Sequence, residues 1–211
     1  MFRIDLGDGA TLRPLEPWQA EEFLTHMNRA RATVDPWIPW AARSFDLDSA
    51  RTTLQRYADL QARDAGRIYG IWQAETPAET PADAPAATLA DTPAAAPVDT
   101  LVGGCMFVSF DADSGVAEVG CWLEPAATGR GLVTAACRQL IDWAFRVRGL
   151  HRVEWHCSTD NTASSNVARR LGLKLEATLR ENYPWKGVRH DTEIWAVLAP
   201  DWPGEASRGS R

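Results

Sequence analysis

The chain has 211 residues, a formal net charge of −6 and 45% hydrophobic residues, which suits one globular domain with a buried core. The acidic balance, without a long basic run, argues against non-specific nucleic-acid binding as the main task but leaves room for a local basic pocket. No apolar run in the sequence reaches membrane-spanning length, and the first six residues are charged too early for a secretory leader. We therefore expect a single cytoplasmic domain over residues 1–211, with neither a nucleic-acid nor a membrane partner.

The four cysteines are far apart, and each is set in an apolar segment. They are Cys105, Cys121, Cys137 and Cys157, and no two of them form a C-x-x-C pair. This spacing is typical of buried free thiols in a reducing compartment rather than of a zinc site or a disulfide framework. We expect no metal.

The first third of the chain predicts one strand, two helices and a second strand. Residues 10–15 predict the first strand, and Pro17 stands where a helix begins, with apolar residues following at helical spacing. Asp46 or Asp48 is placed to cap the second helix. Residues 67–73 predict the next strand.

Between the two helices lies the segment Asp35-Pro-Trp-Ile-Pro-Trp, whose prolines oppose a regular helix. Trp37 and Trp40 on such a segment form either a lid or wall of a pocket, or plugs that fill the core from a loop, since tryptophan is highly buried on average. The sequence leaves both interpretations open.

Residues from about 74 to 100 differ from the rest of the chain because Ala, Pro, Thr and Asp dominate them. This composition predicts a disordered surface insertion between two strands, since strand patterns resume on both sides. The tail after about residue 203 is predicted to be loose.

The second half alternates strand and helix patterns. Strands are predicted over residues 101–110, 116–123 and 152–157 and near residues 173–180 and 192–198, with helices over residues 132–147 and 161–171. The longer helix has one apolar face, made of Val133, Ala136, Leu140, Ile141 and Ala144. The complete order, β-α-α-β-β-β-α-β-α-β-β, indicates an α/β fold with a mixed sheet.

The turn Thr128-Gly-Arg-Gly, between a strand and a helix, is the most informative segment. Gly129 and Gly131 allow a sharp turn and a close approach of backbone to a ligand. The helix that follows directs its unpaired N–H groups and positive dipole end at the same place, which predicts an anionic ligand. Arg130 either adds charge beside that anion or is a solvated turn residue.

Four motifs, in order along nearly the whole chain, resemble a known family. They are Leu12-Arg-Pro-Leu with Trp-Ile-Pro-Trp40; Gly120-Cys-Trp-Leu-Glu-Pro followed by the glycine turn; Asp160-Asn-Thr-Ala-Ser-Ser-Asn-Val-Ala-Arg-Arg-Leu-Gly-Leu; and Leu175-Glu-Ala-Thr-Leu-Arg-Glu-Asn-Tyr, then Gly187, His190 and Asp191. The chain resembles the GNAT acyl-CoA N-acyltransferases, in particular the RimJ/RimL branch that acetylates protein N-termini.

The resemblance implies a GNAT fold, a mostly antiparallel sheet splayed between two parallel strands and flanked by helices, with acetyl-CoA as cofactor and a homodimer as assembly. It implies that the pantetheine arm pairs with the backbone of the strand near residues 119–123 and that the diphosphate lies on the glycine turn. The implied cofactor-binding residues are Val119, Cys121, Trp122, Leu123, Ala127, Thr128, Gly129, Arg130, Gly131, Leu132, Val133, Thr134, Asn161 and Ser164. Ala126 departs from the family, which usually places Gln or Arg there.

Acyl transfer to an amine requires a group that removes a proton from the ammonium and a group that stabilises or protonates the leaving thiolate. By resemblance, Ser164 acts on the thiolate and Asn161 contacts the cofactor arm. Glu118, which shares a strand face with Trp122, is one candidate base, and Glu181, in a loop bordering the acceptor site, is the other. Trp37, Trp40, Tyr183 and His190 are the expected acceptor-binding residues, with Asp191 beside them; His156 is interpreted as structural.

Three functions fit the sequence. The first is acetylation of a protein or peptide N-terminal amine, whose pKa near 8 demands only a modest base. The second is acetylation of a small amine, such as an antibiotic, an aminoacyl compound or a polyamine, which the aromatic segment would bind by stacking. The third is a CoA-binding domain without catalysis, to which Ala126 points.

Overall fold

The computed structural model describes residues 3–39, 43–74 and 99–203. Trp40, residues 75–98 and residues 204–211 lie outside the described residues. The predictions of a pocket role for Trp40, a disordered insertion and a loose tail therefore stay predictions.

Eight strands and four helices longer than one turn make up the described part of the chain. The strands are β1 (Ile4–Gly7), β2 (Ala10–Pro14), β3 (Arg67–Ala74), β4 (Asp99–Asp111), β5 (Val116–Leu123), β6 (Arg152–Ser158), β7 (Lys174–Trp185) and β8 (Val188–Leu198). The helices are α1 (Ala20–Val34), α2 (Leu47–Ala62), α3 (Leu132–Arg146) and α4 (Thr162–Leu171).

The strands form one sheet in the order β1-β2-β3-β4-β5-β6-β8-β7. Every neighbouring pair is antiparallel except β5 and β6, which run parallel and pair only from Val116 with Arg152 to Glu118 with Glu154. Beyond Glu118 the two strands diverge, and β5 continues against β4 while β6 continues against β8. The α/β fold with a sheet splayed between two parallel strands is confirmed.

The helices cover both faces of the sheet. On one face, α1 and α2 bury apolar residues that include Phe23, Met27 and Leu54 against β3, β4 and Trp122 of β5. On the other face, α3 buries all five residues of its predicted apolar stripe, beside the buried residues of α4. The sheet is thus the middle of three layers, and the opening between β5 and β6 connects its two faces.

The helix starts agree with the sequence signals. A 3-10 turn, Pro17–Gln19, leads into α1, and the Asp46 carboxylate caps α2 by accepting a hydrogen bond from the Ser49 N–H at 2.8 Å. None of the helices in the described ranges has both the length and the hydropathy needed to cross a lipid bilayer.

Two parts of the sheet differ from the prediction. Strand β1 was not predicted; it forms a hairpin with β2 through Asp8 and Gly9, both at positive φ. A second hairpin replaces the predicted loop before residue 192, because β7 and β8 extend to the turn at Lys186 and Gly187. Turns with two consecutive positive φ angles follow the twist of their strands, so both hairpins close tightly.

All four thiols in the chain are free. Cys105, Cys137 and Cys157 are buried as expected, but Cys121 is half-buried because it borders the opening beside β5. Hydrogen bonding to Cys137 and burial raise the pKa of Cys121 well above its ordinary value. The Cys121 thiol therefore remains protonated and unreactive near neutral pH.

Candidate active site

A cleft of about 1650 Å³ occupies the opening between β5 and β6. Its walls are the diverging ends of those strands, the first turns of α3 and α4, the segment that follows α1, and the β7–β8 hairpin. A drug-sized ligand needs roughly 300–1,000 Å³. The cleft therefore has room for a large cofactor and a second substrate together.

The first turn of α3 is open toward this cleft. Gly129 and Gly131 have φ angles of 80° and 75°, and Gly131 occupies the N-cap position without a side-chain cap. Residues with a Cβ rarely adopt these angles, so glycine is required to turn the chain into the helix here. The first N–H groups of α3 and its positive dipole end are thus left available to an anion.

The first turn of α4 is closed by its own side chain. The Asn161 Oδ1 accepts a hydrogen bond from the Ser164 N–H at 3.1 Å. Asn161 lines the cleft, but its carbonyl oxygen is directed at the helix. A contact between Asn161 and a ligand is left to the amide N–H donors of the same side chain.

Ser164 lies on the cleft wall formed by α4, where it is half-buried. Its Oγ accepts a hydrogen bond from the Trp155 Nε1–H at 2.9 Å, which fixes the hydroxyl in place. Because that bond uses the oxygen as an acceptor, the Ser164 O–H remains available to donate into the cleft. The neighbouring Ser165 is different: it is buried and donates to Glu193 at 2.6 Å.

Glu118 lies at the last paired position of β5, where the two strands part. Its side chain is 23% exposed and lines the cleft, on the strand face that also carries Trp122. Burial raises the pKa of Glu118 above its ordinary value, although the nearby His156 opposes the change. A carboxylate with a raised pKa is a suitable proton acceptor near neutral pH.

His156, interpreted from sequence as structural, stands in the cleft beside Glu118. Its Nδ1 is 3.6 Å from the Glu118 Oε2, and its Nε2 is 2.9 Å from the Glu154 Oε2. The sequence analysis missed this grouping because it depends on the register of the parallel pair β5 and β6.

Aromatic side chains form the opposite end of the cleft. Trp37, Tyr183 and Trp185 line it, and the Trp185 Nε1–H donates to the Asp35 carbonyl at 3.2 Å, which ties the β7–β8 hairpin to the segment after α1. Trp37 is 37% exposed, so it is a cleft wall and the core-plug interpretation is wrong for this residue. His190, directly opposite Tyr183 across the hairpin, also lines the cleft.

Several predicted residues lie elsewhere. Glu181 is not in a loop: it occupies a register shift within β7, exposed and outside the cleft lining, and its N–H donates to Asp191 at 2.8 Å. Arg130 is exposed, and its guanidinium donates to the Asp8 carbonyl at 3.2 Å. The side chains of Val119 and Ala127 are buried in the core, which leaves their backbone groups as the means of contacting a ligand.

A buried polar network that the sequence did not reveal supports the strand end before the glycine turn. The Trp122 Nε1–H donates to the His26 Nε2 at 2.9 Å, and Glu124 accepts from the His26 Nδ1 at 3.2 Å and from the Arg29 Nε at 2.9 Å. Burial lowers the pKa of His26 to about 4, so the ring is neutral and this tautomer is fixed. On the other side of Trp122, Gly104 has no room for a side chain, because the indole fills that space.

A sheet that opens between two parallel strands, above a helix N-terminus left uncapped, defines the acyl-CoA-dependent N-acyltransferases. The profile of the acetyltransferase (GNAT) domain matches residues 10–174, and the chain belongs to that family. It is therefore an N-acetyltransferase that uses acetyl-CoA, which supplies the activated acetyl thioester when bound.

Individual relatives agree with this assignment. The putative ribosomal N-acetyltransferase YdaF of Bacillus subtilis is 27% identical over 97% of this chain and 100% of its own length. The RimL ribosomal L7/L12 alpha-N-protein acetyltransferase in complex with coenzyme A has a TM-score of 0.76 at 19% identity, covering 93% of this chain and 97% of that chain. The microcin C7 self immunity acetyltransferase MccE, in complex with acetyl-CoA and AMP, has a TM-score of 0.73 at 23% identity, covering 92% and 95%.

Proposed function

We propose that this enzyme acetylates the N-terminal α-amine of a protein or peptide, with Glu118 as the base and Ser164 as the group that stabilises or protonates the thiolate. The observation that carries the proposal is the placement of the Glu118 carboxylate, raised in pKa, inside the cleft at the point where the strands part. The relatives that act on ribosomal proteins support a protein acceptor.

The open turn of α3 fits the diphosphate of CoA, since backbone N–H groups at a helix start bind phosphate without a charged side chain. The cofactor contacts that we propose are the backbone groups of residues 119–123, the turn from Ala127 to Gly131, and the first helical turn of Leu132, Val133 and Thr134. Asn161 and Ser164 complete the set from α4, on the other wall of the cleft.

Glu118 removes the proton from the incoming ammonium. An α-amine has a pKa near 8, against about 10.4 for lysine, so a single carboxylate is an adequate base for an N-terminus. The active form is the carboxylate. Activity therefore falls as the pH drops through the pKa of Glu118, and because burial raises that pKa, the fall begins at a higher pH than for a solvated glutamate.

The experiment for the base compares E118Q with E181Q over a range of pH. We expect E118Q to reduce kcat/KM by roughly 10² to 10⁴ and to remove the acidic limb of the profile, while E181Q behaves as the native enzyme. If E181Q removes the acidic limb and E118Q does not, the base is Glu181.

A peptide panel tests the acceptor. Thiol release from acetyl-CoA is measured with peptides that begin with Ser or Ala, with the same peptides blocked at the N-terminus, and with small amines. We expect release with the free peptides and none with the blocked ones. Turnover confined to small amines would favour the second candidate, which the aromatic wall of Trp37, Tyr183 and Trp185 supports. CoA-dependent thermal stabilisation without turnover would indicate a binding domain.

We further propose that the enzyme acts in the cytoplasm as a homodimer, without binding nucleic acid or membranes. The support for a dimer is the sheet edge at β7, where Leu175 and Leu179 are 47% and 42% exposed. The net charge of −6 supports the absence of polyanionic partners. Light scattering on a size-exclusion column distinguishes a dimer from a monomer, and L175E should shift the dimer toward monomer.

A further inference from the structure

We propose that His156 and Glu154 form the route by which the proton taken up by Glu118 leaves the cleft. The inference rests on the proposed role of Glu118 as the base. Glu118 and Glu154 are opposite each other at the last pair of the parallel strands, and His156 follows two residues later on the same face of β6. The three side chains therefore lie together on one face of the sheet, at the point where the two strands part.

The hydrogen-bond pattern sets the direction of the route. The His156 Nε2–H donates to the Glu154 Oε2 at 2.9 Å, which places the Nδ1 of the same ring toward Glu118, 3.6 Å from its Oε2. This separation exceeds a hydrogen bond by about half an ångström, which a rotation of the Glu118 side chain can close. Because the His156 side chain is 32% exposed, its ring also has access to solvent.

Two further charged residues, Arg152 and Glu176, hold the Glu154 carboxylate in place. Arg152 donates from its Nε to the Glu154 Oε1 at 2.6 Å and from its Nη2 to the Glu176 Oε2 at 2.6 Å. Burial raises the pKa of Glu154, but hydrogen bonds from Arg152 and His156 outweigh it and bring the pKa below its ordinary value. Glu154 thus stays ionised and accepts hydrogen bonds from both Arg152 and His156.

On the helices that the structure describes, the side chain that interacts with the Glu118 charge is neither an acid nor a base at neutral pH. Tyr57 of α2 is close enough to interact with the Glu118 charge, and burial raises the pKa of Tyr57 to about 12. Its hydroxyl donates to the Met106 sulfur at 3.0 Å and remains neutral. His156 and Glu154 are charged groups that act on Glu118, and the His156 ring is the one of them that also reaches solvent from the cleft.

The reaction requires a path by which a proton leaves the cleft. An ammonium and a thioester give an amide, a thiol and one proton, so each turnover releases one proton net. An N–H bond of the ammonium breaks as Glu118 gains an O–H. Glu118 gives that proton to the Nδ1 of a neutral His156 ring, and the resulting imidazolium, held by the ionised Glu154, loses a proton to the water that reaches its exposed ring. Exchange with solvent then restores the Nε2–H form of the ring.

The experiment is chemical rescue. We expect H156A to lose at least about tenfold in kcat while the KM for acetyl-CoA changes less than twofold, and we expect millimolar imidazole to restore kcat in proportion to the free-base concentration. H151A is the matched control, because His151 is exposed at the start of the same strand. E154Q keeps a hydrogen-bond acceptor for His156 but lacks the charge, so its kcat should fall and its acidic limb should shift.

Two results would overturn the proposal: a native kcat in H156A, or a reduced kcat that imidazole does not restore, as expected of a purely structural role. If H156A fails to fold by circular dichroism, E154Q decides, and an unchanged pH profile in E154Q rejects the route. E118Q is measured in parallel. Loss of activity in E118Q with native behaviour of H156A rejects only the route, whereas native behaviour of E118Q rejects Glu118 as the base.

Discussion

Two helices begin at the same cleft, and their first turns differ. At α3, Gly131 occupies the N-cap position and offers no side chain. At α4, the Asn161 Oδ1 accepts a hydrogen bond from the backbone N–H of Ser164, one of the first donors of the helix. Both helices direct a positive dipole end at the cleft, but α3 leaves its N–H groups for a ligand, while α4 satisfies part of its own.

The difference indicates a division of labour between the helices. A glycine N-cap is less stable than an Asn N-cap by only about 0.3 kcal/mol, and it leaves the first N–H groups of the helix open to a ligand. The capped helix gains rigidity and holds one hydroxyl, Ser164, at a fixed place. We therefore expect α3 to bind the anionic part of the cofactor and α4 to act on the sulfur.

A carboxylate placed at the open turn should have the largest effect. T134E puts a negative charge in the first turn of α3, where it occupies the N–H groups and repels the diphosphate. We expect the KM for acetyl-CoA to rise roughly thirtyfold, about 2 kcal/mol, with no loss of thermal stability. T162E is the matched control, because Thr162 is exposed in the first turn of α4. If both variants raise KM equally, the two helix starts are not distinct.

Removal of the hydroxyl at Ser164 should have the next largest effect. We expect S164A to lower kcat roughly tenfold and to change the KM for acetyl-CoA less than threefold, because the hydroxyl acts on the leaving thiolate. S165A is the matched control: Ser165 donates to Glu193 in the core, so its loss should lower the melting temperature and leave kcat unchanged. An unchanged kcat in S164A would remove its catalytic role.

Removal of the cap at α4 should have a smaller effect, and mainly on stability. We expect N161A to lower the free energy of unfolding by about 1 kcal/mol, measured by urea denaturation. N161D keeps the capping oxygen but has no amide N–H donors. If N161D restores stability and still raises the KM for acetyl-CoA, the amide contacts the cofactor; if N161D behaves as the native enzyme, Asn161 serves only as the cap.

A side-chain donor added before the open turn should have the smallest effect. Ala126 is exposed on the 3-10 turn Pro125–Ala127, where the family usually carries Gln or Arg. We expect A126R to improve the affinity for CoA about threefold, measured by calorimetry, because one partly solvated charge is worth less than 1 kcal/mol. An unchanged or weaker affinity would mean that the backbone donors of the turn already satisfy the diphosphate.

The sequence predicted the fold and the open helix turn because their signals are local. Gly129 and Gly131 mark the turn, and the apolar stripe of α3 follows from helical periodicity alone. The β1–β2 hairpin was missed although Ile4 and Leu6 alternate with Arg3 and Asp5 and Gly7-Asp-Gly is a turn signal, because a four-residue strand is too short for the alternation to be distinctive.

The rest of the site depends on contacts between distant residues. His26 and Glu124 are 98 positions apart, and the pairing of Glu118 with His156 follows from the register of a parallel pair. Neither the 98-residue separation nor the strand register produces a motif or a periodicity that can be recognised in the sequence. Glu181 shows the converse: its position in the sequence suggested a loop, but the hairpin of β7 and β8 placed it outside the cleft.

The connection between β3 and β4 determines where this protein can accept an inserted sequence. Ala74 and Asp99 are directly paired, so the two ends of the connection are adjacent in the sheet. Where the ends are fixed in this way, doubling the length of a flexible connection costs only about 0.6 kcal/mol in closure entropy. We therefore expect a tag or a whole domain to be tolerated between Ala74 and Asp99, because the register of β3 and β4 is fixed by their own pairing.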